Sequence, residues 1–170
     1  MYHANGPSPS SGIERFIAAL GSAIDSTMTG EGLGEYRPDA DSIGIKPPET
    51  FESPLIYYAV LLHEHGHWTG HRSRLARRFG REFGSPSYAR EELIATIVSL
   101  HLSMYFGVLR DEGLAWQLDY VRGWLRRVEP DAPGARLAMR MGRTRRASSM
   151  RSNGKSWANR RTACFAASTR

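Results

Sequence analysis

Eight consecutive apolar residues, Leu55-Ile56-Tyr57-Tyr58-Ala59-Val60-Leu61-Leu62, run without a break into His63-Glu64-His65-Gly66-His67. Pro54 suits a first helical turn and Gly70 a C-terminal cap, so the segment reads as a buried helix from about Pro54 to Thr69. At 3.6 residues per turn, His63 and His67 lie about 40° apart around the axis, whereas His65 points nearly opposite. Two imidazoles sharing one face, with a carboxylate beside the first, make the H-E-x-x-H arrangement of zinc hydrolases. His63 and His67 are thus candidate ligands to one ion, Glu64 is the candidate base, and His65 should not reach the same ion. His71 continues the stripe by four more positions, but Gly70 ends the helix before it and leaves it an outside candidate.

A catalytic zinc bound by two histidines needs a third protein ligand, with the fourth position left to water. The best supplier is Glu91-Glu92-Leu93-Ile94-Ala95-Thr96, which opens a second apolar-periodic segment bounded by Gly84-Ser85-Pro86 and Gly107. On that helix Glu92, Ala95, Thr96 and Ser99 form one stripe, small side chains below a carboxylate. Leu93, Ile94, Ile97, Val98, Leu100, Met104 and Tyr105 cover the flanks. Small residues would let two helices approach closely enough for Glu92 to reach the ion. Glu91 lies about 100° around from Glu92 and is the alternative ligand. Each assignment has a plainer competitor: the two acids could serve the helix dipole, and His65 and His101 read as packing or surface histidines.

The other elements are shorter. Ile13 to Leu20 reads as a helix with Phe16, Ile17 and Leu20 inward. Glu35 to Arg37 and Ser42 to Ile45 read as strands joined through a turn at Pro38-Asp39-Ala40-Asp41. Leu114, Leu118, Val121, Leu125 and Val128 alternate steps of four and three, so Asp111 to Val128 reads as an amphipathic helix closing the core, its apolar face widened by Trp116, Tyr120 and Trp124.

Taken in order, Phe16-Ile17-Ala18, Tyr36-Arg37-Pro38, Asp41-Ser42-Ile43, Pro47-Pro48-Glu49-Thr50-Phe51, Tyr57-Tyr58-Ala59, His63 to His71, Ser73-Arg74-Leu75, Phe83-Gly84-Ser85 and Tyr88-Ala89-Arg90-Glu91-Glu92-Leu93 resemble one family. It is the zincin-like metallopeptidase domain of ArdC-type antirestriction proteins, found also in polyvalent proteins of phages and conjugative elements. The resemblance covers about residues 13 to 128. It implies an α+β, mostly helical zincin-like domain with a small antiparallel sheet packed on the metal-binding helix. It also implies zinc held by His63, His67 and the glutamate of the Glu-Glu-Leu element, with Glu64 as catalytic acid and base. An edge strand of that sheet would hold an extended peptide beside the metal. This chain departs from the family at Thr96, where a further acidic residue is usual. Full-length relatives carry an N-terminal single-stranded-DNA-binding domain to which nothing in this sequence corresponds.

Length and charge fit one small domain. The 170 residues carry a net charge of +6, but residues 1–128 hold 13 Lys and Arg against 15 Asp and Glu, a net of −2, while 129–170 hold 10 against 2, a net of +8. The basic character therefore belongs to the C-terminal stretch, with a local cluster at Arg72, Arg74, Arg77, Arg78 and Arg81 that reads as a solvated face. We divide the chain into a flexible N-terminus over 1–12, a metallopeptidase domain over 13–128 and a basic tail over 129–170. The tail, rich in Arg, Ser, Ala and Gly without periodicity, reads as disordered. Because family members continue into another helix, the tail is either a frame-shifted product or a real segment contacting nucleic acid nonspecifically through counterion release. One cysteine, Cys164, excludes an internal disulfide, no segment is apolar enough for export or membrane spanning, and the expected location is cytoplasmic.

The expected chemistry is zinc-assisted hydrolysis of a peptide bond in a protein or peptide substrate, with Glu64 accepting the proton of the attacking water and passing it to the leaving nitrogen. Tyr88, His71 and Arg90 are the candidate donors to the tetrahedral oxyanion. The competing classes are a noncatalytic zinc-containing antirestriction module that binds DNA or a host protein, and a truncated, degenerate gene product.

Overall fold

The structure is a computed structural model that describes residues 9–80, 82–108 and 111–128. Four helices, α1 (Pro9–Leu20), α2 (Pro54–Trp68), α3 (Pro86–Tyr105) and α4 (Asp111–Val128), surround or flank a small sheet of β1 (Ala23–Asp25), β2 (Gly34–Arg37) and β3 (Ser42–Ile45). The architecture is α+β and mostly helical, as the sequence indicates. The flexible N-terminus, apart from its last residues, and the whole tail 129–170 fall outside the described residues, as do Arg81 and the side chains of Leu114 and Trp116.

The two long central helices begin for the same local reason. Ser53 and Ser85 sit extended at the N-caps, accept from the amides of Ile56 and Tyr88, and are each followed by a proline whose missing N–H costs nothing there. Helix α3 stops where Gly107 turns to φ 67, a left-handed value that favours glycine. Helix α2 ends at Trp68 and is capped by Thr69, whose hydroxyl donates to the Gly66 carbonyl at 2.6 Å.

The two foreseen strands pair antiparallel, Tyr36 opposite Ile43 and Arg37 opposite Ser42. A third strand was not foreseen. β1 runs parallel to β3, with Ile24 opposite Ile43, so the sheet is mixed and its order is β1-β3-β2. Helix α1 also starts at Pro9, four residues ahead of its expected start.

Helix α2 is the centre of the molecule, buried from Val60 through Gly66. On one side it packs against the sheet through Val60 and Leu61 with Tyr36, Ile43, Ile45 and Phe51. On another, Tyr58 and Leu62 meet Ile13 of α1 and Val108 beyond α3. A third cluster joins α3 to α4 through Tyr88, Ala89, Leu93 and Trp124. Full burial of a residue such as Ile43, Ile45 or Leu62 stabilises by roughly 1.5–3 kcal/mol each.

The small-residue stripe on α3 does face α2. A Cβ on Gly66 would lie 2.6 Å from the Cα of Ala95, and Ser99 donates to the Ala59 carbonyl at 2.7 Å. The flanks differ from expectation, because Ile97, Met104 and Tyr105 are exposed. On α4 the buried line is Gln117 and Trp124 with Tyr120 half-buried between them, while Leu118 faces solvent. Val121, Leu125 and Val128 pack against the α3–α4 cluster as expected, and Tyr120 has a polar partner inside.

Candidate metal centre

His63 and His67 come from adjacent turns of α2 and Glu92 from the second turn of α3, brought within reach by the close crossing at Gly66 and Ala95. Their ligand atoms lie within 4.8 Å of one another, and all three side chains are buried or nearly so. The Nε2 atoms of His63 and His67 are 3.2 Å apart. Glu92 stands 3.5 Å from the first through Oε2 and 3.6 Å from the second through Oε1.

These separations provide a test of fit. Zinc–ligand bonds of about 2.0–2.2 Å in a tetrahedral site place neighbouring donors about 3.3–3.6 Å apart. Two imidazoles and a carboxylate also form a donor set found in catalytic zinc sites. The residues present therefore suit a divalent cation.

The proton on His67 is fixed by its other nitrogen. Nδ1 lies 3.2 Å from Glu91 Oε1, and because an ionised carboxylate only accepts, Nδ1–H donates and Nε2 turns its lone pair toward His63 and Glu92. Glu91, the alternative ligand, is thus placed behind His67, outside the three-donor group, where Arg77 grips it. Burial works to raise the Glu91 carboxyl, but the hydrogen bonds from Arg77 and His67 outweigh it and hold the group below its ordinary range.

Glu92 follows the same logic. Burial opposes its charge, yet the hydrogen bonds that His63 and Tyr120 make with it hold the carboxyl below its ordinary range. The Tyr120 hydroxyl donates to Oε2 at 2.7 Å, and burial followed by the Glu92 charge keeps that phenol protonated. Thr96 turns back on its own helix, donating to the Glu92 carbonyl at 2.7 Å, so no side chain of position 96 reaches the histidines.

Glu64 is 2% exposed and lies under β2. A Cβ on Gly34 would stand 3.2 Å from its Cγ and 2.9 Å from Val60 Cγ1, so this strand can pass over the carboxylate because position 34 has no side chain. Burial pushes Glu64 up to about 8, aided by the Glu92 charge and resisted by His67 and the Tyr36 amide. A carboxyl in that range can exchange protons near neutrality.

The remaining candidates separate clearly. Tyr88 is buried against Trp124 and Phe83, and its phenol is raised by burial and then by the charges of Glu92 and Glu64. His71 sits at the β2–β3 turn, with Nδ1 3.5 Å from Asp41 Oδ2 and 2.7 Å from Ser73 Oγ. Arg90 is exposed. His65 faces away from the donors, as its position on the helix requires. Its Nδ1 donates to the Leu61 carbonyl at 2.7 Å and its Nε2 accepts from Ser22 at 2.8 Å.

Arg77 and Tyr120 were missed as partners of Glu91 and Glu92. Tyr120 carried a usable signal, since a tyrosine on an apolar helix face must find a partner for its hydroxyl. Arg77 carried none: within five neighbouring arginines nothing in the sequence marks which turn inward.

The sequence matches the zincin-like metallopeptidase family over residues 11–135. DNA primase TraC of Escherichia coli is 41% identical over 118 residues, which are 69% of this chain and 11% of that protein. Uncharacterized protein y4eC of Sinorhizobium fredii is 35% identical over 118 residues, 69% of this chain and 37% of its own length. Among solved structures, the Mn(II)-bound crystal structure of the antirestriction protein ArdC from the R388 plasmid is 33% identical with a TM-score of 0.50, covering 86% of this chain and 55% of that one. The chain thus spans about a tenth of TraC and just over half of ArdC.

Proposed function

This chain belongs to the zincin-like metallopeptidase family, and from that membership we propose that it hydrolyses peptide bonds with zinc held by His63, His67 and Glu92 and with Glu64 as acid and base. The observation that supports this most is the convergence of one ligand atom from each of the three residues, all within 4.8 Å of one another, with the two Nε2 atoms 3.2 Å apart. When bound, zinc polarises the scissile carbonyl and lowers the pKa of a water to about 7.

The chain's own residues do the rest. Glu64, raised by burial, takes the proton of the attacking water and returns it to the leaving nitrogen. Tyr120 and Glu91 keep Glu92 and His67 in orientation. β2 is an edge strand, and an extended peptide pairing along its free side would pass beside Glu64. For the oxyanion donor, Tyr88 is favoured by its closeness to Glu92 and Glu64; His71 is engaged by Asp41 and Ser73, and Arg90 is exposed.

The role in the cell that fits these relatives is antirestriction or another function of a mobile element, exerted on a protein or peptide in the cytoplasm. Contact of the basic stretch 129–170 with nucleic acid is part of the same proposal. A second reading, a noncatalytic module whose metal only stabilises, is favoured by Thr96, which gives the site no acidic group at that position.

Glu64→Gln separates the two. The peptidase reading expects zinc content unchanged and hydrolysis of a protein substrate reduced by about 10²–10⁴-fold. Equal hydrolysis by both proteins would remove Glu64 from the chemistry, and no hydrolysis by the wild-type chain on any host protein would favour the noncatalytic module.

A further inference from the structure

We propose that Arg77 is the positioning residue that sets the metal affinity of this site, acting through Glu91 on His67; the inference rests on the metal-site reading above. The guanidinium is half of a fork-to-fork pair, with Nε donating to Glu91 Oε2 at 2.9 Å and one terminal nitrogen to Oε1 at 2.8 Å. Two further donors are also spent inward. The same terminal nitrogen reaches the Gly66 carbonyl at 2.7 Å, and the other reaches Thr69 Oγ1 at 2.8 Å.

The slot that receives it is built for a flat cation. A Cβ on Gly70 would lie 2.8 Å from a terminal nitrogen of Arg77 and 3.0 Å from its Cζ, so any side chain there would push the guanidinium away. The loop between them folds back on the end of α2, with the Arg77 amide donating to the Gly70 carbonyl at 2.9 Å and the Leu75 amide to the Thr69 carbonyl at 3.1 Å. Arg77 is therefore not a member of a solvated basic face, unlike its exposed neighbours Arg72 and Arg78.

The consequence falls on one imidazole. Glu91 Oε1 receives both Arg77 and His67 Nδ1, so the carboxylate can turn only by breaking the fork. While it is held, the His67 proton stays on Nδ1 and Nε2 keeps its lone pair toward Glu92 and His63. Once it is released, His67 can rotate or carry its proton on Nε2, and each competes with the cation. Loss of such a partner weakens metal binding about 10- to 100-fold. Lysine cannot replace the fork, because one ammonium cannot make two parallel bonds to the carboxylate and also reach Gly66 and Thr69.

The experiment measures zinc affinity by competition with a chromophoric chelator for wild type, Arg77→Lys, Glu91→Gln, His63→Ala and the exposed control Arg78→Lys. The His67 tautomer is read in parallel from the ¹⁵N shifts of the metal-free proteins, and circular dichroism reports the fold. Arg77→Lys is expected to bind zinc about 10- to 100-fold more weakly, with its fold kept and the Nδ1–H form of His67 no longer dominant, while Arg78→Lys matches wild type. Should Arg77→Lys not fold, Glu91→Gln, which preserves shape, is read by the same criteria. Zinc affinity within twofold of wild type in the folded variant, with His63→Ala binding none, would overturn the role of Arg77 and leave the site intact. Unchanged affinity in His63→Ala as well would overturn the site itself.

Discussion

His65 stands between the two candidate ligands and does a different job. At 1% exposure it ties α2 to the turn before β1, using Nδ1 on its own helix and Nε2 on Ser22. Truncation to alanine leaves a void and strands buried polar groups, so His65→Ala should lose about 2–4 kcal/mol in urea denaturation while retaining zinc. Asp41 supplies a pH-dependent prediction. It pairs with Arg74, which also stacks on Trp68 with its Cζ 3.6 Å from the ring centroid, and accepts from Tyr36 at 2.8 Å. The hydrogen bond from Arg74 leads the causes that bring its carboxyl from 3.8 to about 2. A depressed acid contributes stability that is present above about pH 3.8 and lost as pH falls through about 2. Asparagine tolerates the left-handed φ of 48 at this position, so Asp41→Asn keeps the backbone and removes the charge together with one of the two oxygens that accept from Arg74. Wild type should be the more stable at neutral pH, and the two unfolding curves should converge near pH 2; parallel curves down to pH 2 would disconnect Asp41 from acid stability. Helical spacing is enough to set His63 and His67 on one side and His65 on the other, because it depends only on local geometry. The inward turn of Arg77 depends on a slot formed by residues 66, 69 and 70, which no local pattern encodes.

Among the elements, the crossing of α2 and α3 carries the site. Ala95 can lie against Gly66 only because neither has bulk to spare, and this closeness delivers Glu92 to the histidines. Gly66→Ala would set a methyl against backbone 2.6 Å away, where nothing flexible can yield. The helices must then separate, with a loss of about 1–3 kcal/mol in thermal unfolding and a parallel drop in zinc affinity. A fall in stability with unchanged zinc affinity would show that the crossing does not position Glu92. The long helices were legible because serine-proline starts and a glycine stop frame them. Strand β1 was not, since Ala23-Ile24-Asp25 has no alternation to read and finds its partner, β3, far along the chain.

At the scale of the whole molecule, a central helix with the sheet on one side and α3 on another leaves the motif between β2 and Glu92. The division of charge between 1–128 and 129–170 has its own test. A chain ending at 128 should keep zinc and thermal stability, whereas the full chain should bind duplex DNA with an affinity that falls steeply as salt rises. Equal DNA binding by both would move that contact into the domain. Among the described residues no helix is long and apolar enough to cross a membrane. Because binding to the folded state alone stabilises it, saturating zinc at about 1,000 times its Kd should add about 4 kcal/mol, removable by a chelator. The most direct test of the account is the zinc content of the purified chain and of its ligand variants. We predict one equivalent in wild type and in Glu64→Gln, and none in His63→Ala, His67→Ala or Glu92→Ala; a full equivalent in any of those three would contradict it.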